Sequence, residues 1–587
     1  MEKVTSILSN IVQEAFKEAG YNPEYGLCKL SDRPDLCQYQ CNGAMMAAKK
    51  YKTAPIKIAQ NVVDKLASNQ IIESVDAVAP GFINISLVNE FWSERLNMVL
   101  EDERCGVPKS ENPETVVVDY GGPNVAKPLH VGHLRPAIIG ESIKRIAKFQ
   151  GHNVIGDAHL GDWGLQIGLI ITELKYRHPD WSYFSEECDT FPEEPPFTIA
   201  DLEEIYPFAS KRSKEEDSYR DEARNATFEL QQGRAGYRAL WKQIINVSVT
   251  DLKMNYKKLN VEFDLWKGES DCQDLIPSMV EKMKADGYAY ISDGALVVDV
   301  QTEADTRVVP PCMILKSDGA AQYATTDLAT IIERKNDFKP QRIIYVVDKR
   351  QEMHFTQVFR CAYKTGIIDK KECNLEFVGF GTMNGRDGKP FKTRDGGVMR
   401  LETLISDVES AIADKMVEDK ALLSDEQKKI VSKVALSAIK YGDLSNVPAK
   451  DYIFDVDRFS AFEGNTGPYI LYTMVRLKSV LSKYAASYGR GGEKLISPES
   501  PKETEVYMIL SRFDVAIEDA YNNNTPSSIC HYIYELCNAI NQFYSEHNIL
   551  KEQDLNRKKS YIALISYSLR VLETSIDLLG FSSPDKM

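Results

Sequence analysis

The chain has 587 residues, of which 43% are hydrophobic and 27% charged, a composition typical of soluble globular proteins with several domains. Collagen-like, intrinsically disordered and disulfide-scaffold classes are thereby excluded. The net charge of −15 argues against a nucleic-acid partner, but thirteen acidic and only five basic side chains fall within residues 186–224. The negative charge is thus concentrated in one predicted surface insertion. Because a nucleic acid responds to the charge near its binding site and not to the net charge of the chain, a nucleic-acid partner stays possible.

Signals for export, membrane insertion and metal binding are missing from the sequence. No run approaches 18 consecutive apolar residues, and the N-terminus lacks the basic and then apolar order of a secretory signal. The 11 cysteines form no CxxC pair, and Cys28, Cys37 and Cys41 are spaced unlike a zinc site. We therefore expect a cytoplasmic protein with reduced thiols, no membrane association and no protein-ligated metal.

Residues 1–112 are predicted to form an α+β domain. A helical run includes Ile7, Val12 and Phe16, and Phe82–Leu87 alternates apolar and polar residues as a half-buried strand does. A packing domain without a task of its own is the alternative interpretation of this segment.

Residues 113–445, which include the insertion 186–224, alternate β-branched runs with helix-period runs. Short runs that are apolar on both faces and alternate with helices predict a doubly wound, Rossmann-type parallel sheet. The predicted elements are strands at 116–118, 153–155, 343–347 and 375–379, a helix at 129–150 and a hairpin turn at 293–294.

Residues 446–587 contain almost no strand signals. Apolar residues recur with the period of a helix, which predicts an all-helical bundle as the third domain. The helical runs lie at 469–481, 506–520, 533–543 and 561–579.

The densest motif is VVVDYGGPNVAKPLHVGHLR at 116–135, which predicts a strand, a Gly/Pro loop and the start of a helix. In a doubly wound sheet, ligands bind beyond the strand ends, and a helix N-terminus attracts phosphate. His130 and His133 share one face and can both donate to phosphate oxygens, while Gly132 leaves room for a base. A zinc pair and two exposed surface histidines are the alternatives. The absence of a third ligand nearby disfavours the first, and the Gly/Pro loop disfavours the second.

The His-x-Gly-His element of this motif resembles the signature of class I aminoacyl-tRNA synthetases. The longer string PNVAKPLHVGHLR is similar to arginyl-tRNA synthetases of the bacterial type. A lone HxGH is weak, because cofactor adenylyltransferases share it, whereas five motifs in family order are specific. The other four are HLGDWGLQIG at 159–168, YVVDKRQEMHF at 345–355, GKPFKTRDGG at 388–397 and FEGNTGPY at 462–469.

The resemblance implies an arginine–tRNA ligase that uses ATP with Mg²⁺ to convert L-arginine to arginyl-adenylate. The arginyl group then passes to the terminal adenosine of tRNA(Arg), at the 2′-hydroxyl in class I enzymes. This chemistry requires positioning and charge neutralisation more than acid–base work. The family also implies a monomer.

The resemblance further implies the residues of the site. A guanidinium needs carboxylates and planar acceptors around it. Tyr323 and Asp327 are one helical turn apart, and His354 is expected near the same pocket. The family positions for arginine are Asp119, Asn124, Tyr323, Asp327 and Gln351. Those for ATP are His130, Gly132, His133, Lys389, Lys392 and Arg394.

The sequence departs from the family pattern in three places. Asp119 replaces a glutamate that many relatives carry, and Gly122 replaces a common serine, so one hydrogen bond to the substrate is missing. The second class I signature, Lys-Met-Ser-Lys-Ser, is here KPFKTR at 389–394. We expect a mobile cationic loop over the ATP phosphates, and we expect Lys127 to supply the missing catalytic cation beside Lys392. A solvated basic turn and a solvated Lys127 are the alternatives.

The C-terminal bundle resembles the anticodon-binding domain of the family. Unpaired bases are recognised by stacking and edge contacts, and Tyr469, Arg476, Tyr544 and Met587 fall at the family's anticodon positions. A tyrosine at helical spacing is more often part of a core, which is the alternative. The first 112 residues correspond to the family's additional N-terminal domain, which implies contact with the outer corner of the tRNA.

Three other functions compete with this interpretation. Another class I synthetase, such as the cysteinyl enzyme, is disfavoured because no zinc-ligand set occurs. A non-catalytic relative that only binds tRNA is disfavoured by the intact His130, His133 and Asp327. A cofactor adenylyltransferase has no use for a long helical bundle after the sheet.

Overall fold

The structure, a computed structural model, describes residues 2–390, 399–416, 423–489 and 494–587. The chain divides into two compact units. The first unit comprises Met1–Pro108, Thr473–Asp519 and His531–Ser575, and the second comprises Lys109–Tyr472, Ala520–Cys530 and Ile576–Met587. The division into three domains at 1–112, 113–445 and 446–587 stays a prediction.

The N-terminal part of the first unit is an antiparallel sheet with helices. Its strands pair in the order β1-β2-β4-β3, and the side chains of Leu8, Val12 and Phe16 are buried along one face of the first helix. The predicted α+β fold of this segment is confirmed. The elements are α1 (Val4–Glu18), β1 (Cys28–Leu30), β2 (Tyr39–Cys41), α2 (Gly43–Tyr51), α3 (Pro55–Leu66), β3 (Ile72–Val78), β4 (Phe82–Leu87) and α4 (Asn89–Asn97).

The second unit is built around a parallel sheet. Its elements in chain order are β5 (Thr115–Tyr120), α5 (Leu134–Phe149), β6 (Asn153–Asp157), α6 (Leu165–Arg177), α7 (Ile199–Glu215), α8 (Asp217–Gln231), α9 (Ala235–Lys258), α10 (Ile276–Ala285), β7 (Ala289–Ser292), β8 (Ala295–Val298), β9 (Cys312–Leu315), α11 (Tyr323–Phe338), β10 (Arg342–Asp348), α12 (Glu352–Lys364), β11 (Asn374–Phe380), β12 (Met383–Asn384), α13 (Leu401–Met416), α14 (Asp425–Leu444), β13 (Tyr452–Ile453) and α15 (Val456–Phe459). The C-terminal helices, which are distributed over both units, are α16 (Gly467–Tyr488), α17 (Pro501–Leu510), α18 (Phe513–Asn522), α19 (Ser527–Glu546) and α20 (Leu555–Leu578).

The order of the parallel strands determines where a ligand can bind. The strands lie in the order β11-β10-β5-β6, so the chain leaves β5 toward β6 on one side and later returns to place β10 on the other. In a doubly wound sheet, the crevice at such a reversal, beyond the carboxyl ends of the strands, is the ligand site. The predicted Rossmann-type sheet and helical C-terminal bundle are confirmed, and the site is expected between the ends of β5 and β10.

Some predicted elements have different bounds. The helical run at 129–150 starts with a 3₁₀ turn, Val131–His133, and becomes an α-helix only at Leu134, because the side chains of His130 and His133 accept backbone N–H groups there. The run at 506–520 is divided between α17 and α18. The short strand β13 lies in a segment that was expected to be helical.

Two further predictions concern the connections. The hairpin at 293–294 is confirmed, because Asp293 and Gly294 both have positive φ and join β7 to β8. The acidic insertion, predicted to lie at the surface, forms α7 and part of α8 and is anchored by a small core in which Ala209 and Tyr219 pack against Leu169 of α6. No helix within the described ranges is long and apolar enough to cross a membrane.

A buried ion pair holds the first turn of α5 to the end of α14. Arg135 Nε lies 2.9 Å from Asp443 Oδ2, and both side chains are almost fully buried. Arg135 also donates to the carbonyl oxygen of Gly381 at 2.6 Å, and the Tyr452 hydroxyl donates to Asp443 Oδ2 at 2.7 Å. Since every polar partner is removed from water, the loss of one leaves the others unsatisfied.

We expect Arg135→Met to lower the stability of the catalytic unit by about 3–5 kcal/mol, because the Asp443 carboxylate stays buried without its cation. Arg135→Met combined with Asp443→Leu should recover part of that loss. The control is Lys282→Met, which removes an exposed pair with Asp286 on α10 and should leave the thermal midpoint nearly unchanged. Equal midpoints for the Arg135 and Lys282 variants would contradict the prediction.

Candidate active site

A buried guanidinium joins two strands to the helix that covers their ends. Asp119 on β5 and Asp157 on β6 are paired in register, which places two carboxylates side by side. Arg334 on α11 resolves their repulsion, because its Nη2 lies 2.6 Å from Asp119 Oδ2 and 2.7 Å from Asp157 Oδ2. Burial raises the pKa of the Asp119 carboxyl, and the Arg334 guanidinium opposes that rise. Asp119, predicted to bind substrate, is thus already bound to a cation of the chain itself.

One face of α11 points its polar side chains toward the crevice. Asp327 lies two turns before Arg334, and its Oδ2 is 2.5 Å from Nε2 of His354 on α12. Tyr323, the first residue of α11, is exposed. Gln351 is exposed at the end of the 3₁₀ turn Lys349–Gln351, directly after β10. The structure therefore brings Asp327 and His354 into contact and places Tyr323 and Gln351 at the accessible edges of α11 and β10.

Glu269 is an acidic residue of this site that the sequence analysis missed. Its backbone N–H donates to the Leu160 carbonyl oxygen at 3.1 Å, which places it beside the HLGDWG motif. Burial, together with the nearby Asp162 and Asp327, raises the pKa of Glu269 to about 7. Within the described part of the chain, no lysine or arginine pairs with Glu269, Asp162 or Asp327. The only sequence signal was the pair of acids Glu269 and Asp271 in WKGESD at 266–271, and acids in such a polar segment are usually solvated.

The two histidines of the signature cap the 3₁₀ turn Val131–His133 that precedes α5. The His130 N–H donates to His133 Nδ1 at 3.1 Å, and the Gly132 N–H donates to His130 Nδ1 at 3.0 Å. An Nδ1 that accepts a hydrogen bond is unprotonated, so each neutral ring carries its proton on Nε2. A side chain at Gly132 would come within 2.8 Å of the His130 ring, so any larger residue here would displace that ring.

The electrostatic surroundings keep both imidazoles neutral. Burial and the Lys127 ammonium lower the pKa of His130. Burial, then His130 and Lys127, lower the pKa of His133 to about 3. The ring centroids are 3.8 Å apart. At neutral pH the pair thus offers two adjacent Nε2–H donors without a positive charge of its own.

The loop between β5 and the histidines holds Lys127 and Asn124. The Lys127 ammonium lies over the ring of Tyr206 on α7, 4.6 Å from its centroid. Asn124 is exposed and forms a parallel bridge with Gly161. A side chain at Gly122 would collide with the carbonyl oxygen of His159, which explains why the serine expected from the family is absent.

The second predicted phosphate loop is only partly described. Lys389 is exposed, and its carbonyl oxygen accepts the N–H of Gly385 at 2.8 Å. Lys392 and Arg394 lie outside the described residues. Directly after the loop, the Met399 carbonyl oxygen accepts the Val131 N–H at 3.0 Å, so the end of this segment is attached to the histidine signature.

The predicted anticodon residues fall in both units. In the first unit, the Arg476 guanidinium lies 5.4 Å from the ring centroid of Tyr544, and its Nη1 lies 3.0 Å from Asn541 Oδ1. Tyr469, at the start of α16, and Met587, at the end of the chain, belong to the second unit. The described residues contain no cluster of three or more side chains suited to hold a metal ion.

Three family models together match nearly the whole chain. They are described as arginyl tRNA synthetase N terminal domain, at residues 3–87, tRNA synthetases class I (R), catalytic domain, at 95–456, and DALR anticodon binding domain, at 470–587.

Relatives and solved structures agree with these matches. The arginine–tRNA ligases of Agathobacter rectalis and Alkaliphilus oremlandii are 55% and 52% identical over the full length of both chains. Among solved structures, arginyl-tRNA synthetase from Plasmodium falciparum has a TM-score of 0.81 at 25% identity, and that of Thermus thermophilus has 0.78 at 21%, each over both whole chains. The second of these supports the fold alone.

The depressed pKa of His133 predicts a pH dependence of stability. Between about pH 6.5 and the folded value, the unfolded chain binds a proton that folded His133 does not, so stability falls as pH drops, by up to about 1.4 kcal/mol per pH unit. His133→Asn should flatten the decline of the thermal midpoint between about pH 7 and pH 5. The control, His531→Asn, changes an exposed histidine and should keep the wild-type slope. Equal slopes for wild type and His133→Asn would contradict the expectation.

Proposed function

The chain belongs to the arginyl-tRNA synthetases, a family of class I aminoacyl-tRNA synthetases, and on that premise we propose which of its residues perform each step. As an arginine–tRNA ligase, it uses ATP and charges tRNA(Arg) with arginine. The predicted family, fold and enzyme class are confirmed. The assignments of individual residues below are proposals.

Asp327, Glu269 and Asp162 bind the guanidinium of arginine. The observation that supports this assignment is the group of three acids without a lysine or arginine partner among the described residues. Burial, and then the charges of Asp162 and Asp327, raise the pKa of Glu269. A bound cation relieves that repulsion, and a planar guanidinium can satisfy several carboxylate oxygens at once. An uncharged or acidic amino acid would leave the repulsion in place, so the same group selects against it.

The α-ammonium of arginine binds near Asp119 and Asn124. Asp119 and Asp157 share the single Arg334 guanidinium at the end of β5, so this position suits one further cation. The α-ammonium of arginine supplies that cation. Tyr323 and Gln351, exposed at the edges of the crevice, contact the backbone part of the amino acid from the other side.

The phosphates of ATP bind at the histidine signature. The Nε2–H groups of His130 and His133 donate to the α-phosphate, and the backbone at Gly132 lies under the base. Lys127 and the basic loop with Lys389, Lys392 and Arg394 neutralise the β- and γ-phosphates. Mg²⁺ arrives with the nucleotide as part of the substrate.

The activation step then follows from these positions. A carboxylate oxygen of arginine attacks the α-phosphorus, the bond to the bridging oxygen breaks, and pyrophosphate leaves with its charge. The neutral imidazole donors stabilise the equatorial oxygens, and Lys127 stabilises the leaving group. In the second step, the 2′-hydroxyl of the terminal adenosine attacks the arginyl carbonyl, and AMP leaves.

The tRNA is recognised by the C-terminal helices. Arg476 and Tyr544 form a half-buried cation–π pair, and an aromatic ring and a guanidinium are groups on which anticodon bases can stack. Tyr469 and Met587 are assigned to anticodon bases from their family positions alone. The N-terminal sheet domain contacts the outer corner of the tRNA. We place the enzyme in the cytoplasm as a monomer.

Asp327→Asn should raise the Michaelis constant for arginine at least about 100-fold, because an amide cannot neutralise a guanidinium in a partly desolvated pocket. The constant for ATP should change little. Asp337→Asn is the matched control, since Asp337 lies on the same helix but already has a cation partner, Lys267, at 3.0 Å. If both substrates were affected equally by Asp327→Asn, the assignment of the guanidinium pocket would be wrong.

The assigned activation step is tested by amino-acid-dependent pyrophosphate exchange across the twenty amino acids. Arginine alone should support exchange, and only when tRNA(Arg) is present, as is usual for the family. Background exchange for every amino acid with tRNA present would indicate a non-catalytic relative. Strong exchange after ribonuclease treatment would refute the tRNA requirement and leave the ligase assignment intact.

A further inference from the structure

We propose that Tyr206, in the acidic insertion, is a positioning residue for adenylate formation: its ring holds the Lys127 ammonium beside the histidine signature without neutralising it. The inference rests on the proposed role of Lys127 as the cation that meets the leaving pyrophosphate. It gives the insertion at 186–224 a function in the chemical step.

The position of Tyr206 is fixed by packing. It lies on α7, where the side chains of Leu202, Ile205 and Ala209 are buried, and its own ring is half-buried against the small core of the insertion. A ring that is held in this way cannot turn away from its cation without disturbing that core. Tyr206 is therefore a fixed platform on which a flexible lysine can rest.

The choice of an aromatic ring has an electrostatic consequence. The Lys127 ammonium is 4.6 Å from the Tyr206 centroid, within the range of a cation–π contact. No carboxylate among the described residues pairs with Lys127, although the insertion around Tyr206 is strongly acidic. A carboxylate would cancel the charge and compete with phosphate, whereas the ring quadrupole orients the ammonium and leaves its net charge intact. The field of Lys127 also reaches both imidazoles, because it contributes to lowering the pKa of His130 and His133.

On the same face of α7, a second cation is contacted by a carboxylate and not by an aromatic ring. Glu203, one turn before Tyr206, has its Oε2 3.0 Å from Arg400 Nη1. Arg400 lies opposite His130 in an antiparallel bridge, and the next residue, Leu401, donates its N–H to the Leu129 carbonyl oxygen at 3.0 Å. Glu203 thus attaches α7 to the histidine signature through a neutralised cation. This attachment keeps the Tyr206 ring next to the Lys127 ammonium.

The test measures arginine-dependent pyrophosphate exchange with tRNA(Arg) present. Tyr206→Leu should lower the exchange kcat about tenfold, because the cation is no longer oriented, while the Michaelis constants for arginine and ATP stay within about twofold. Tyr206→Phe keeps the ring and should retain at least about half of the rate. The matched control is Phe208→Leu, which removes another ring of α7 that lies 5.3 Å from the Arg177 guanidinium, and it should match wild type.

A double-mutant cycle with Lys127→Ala separates the possible failures. If Tyr206 acts through Lys127, Tyr206→Leu should cost nothing further in the Lys127→Ala background. Additive losses, or a Tyr206→Leu rate near wild type while Lys127→Ala is slowed about 100-fold or more, would overturn the role of Tyr206 and leave Lys127 in place. A Lys127→Ala rate near wild type would instead refute the proposed function of Lys127.

A series of substitutions at position 206 tests the proposal even if the Tyr206→Leu variant does not fold. Phenylalanine and its mono-, di- and trifluorinated analogues at 206 weaken the ring quadrupole in steps while nearly conserving its volume. The exchange kcat should fall in the order of fluorination at constant thermal midpoint. A flat series would show that the ring only fills space, and the proposal would fail.

Discussion

The active site depends on the burial of Arg334 between two carboxylates. Asp119 and Asp157 come from neighbouring parallel strands in register. Without a cation, two buried negative charges on adjacent strands would repel each other and push the strand ends apart. The guanidinium that neutralises them belongs to α11, so the same contact that permits the strands to end together also fixes the helix across their ends. Asp327, two turns earlier on that helix, is positioned over the crevice as a result.

This arrangement separates the site into two regions of opposite character. On the side of α11, Glu269, Asp162 and Asp327 form a group of acids that a cationic side chain can neutralise. On the side of α5, neutral imidazoles and a lysine held by a ring favour phosphate. In the proposed assignment, arginine occupies the acidic region and ATP the region of the imidazoles, so the reacting carboxylate and the α-phosphate would meet at the boundary between them.

The sequence predicted what local patterns determine. The apolar runs of β5 and β10 are buried on both faces, and the Gly/Pro loop with His130 and His133 has its own capping geometry. The strands and the loop could therefore be predicted from the sequence. The pairing of Asp119 with Arg334 was not, because a charge pair across 215 positions leaves no periodic signal. Glu269 was missed because an acid in a short polar segment is usually solvated, and its proximity to Asp162 and Asp327 arises only in the folded chain. The contact of Tyr206 with Lys127 was hidden because the composition of the insertion indicated only a solvated surface.

Catalysis by hydrogen-bond donors is effective only when the donors are placed before the reaction begins, since otherwise the protein must reorganise as charge develops. The sixteen-residue helix α5, which follows the two histidine donors, is held in place at several points along its length. The two imidazoles cap the 3₁₀ turn that leads into it, its first turn is tied to Asp443 by Arg135, and farther along Ser142 Oγ donates to the Leu578 carbonyl oxygen at 2.9 Å. The two buried attachments leave the helix little freedom to slide or rotate. The Nε2–H groups at its N-terminus therefore keep their direction whether or not a phosphate is bound.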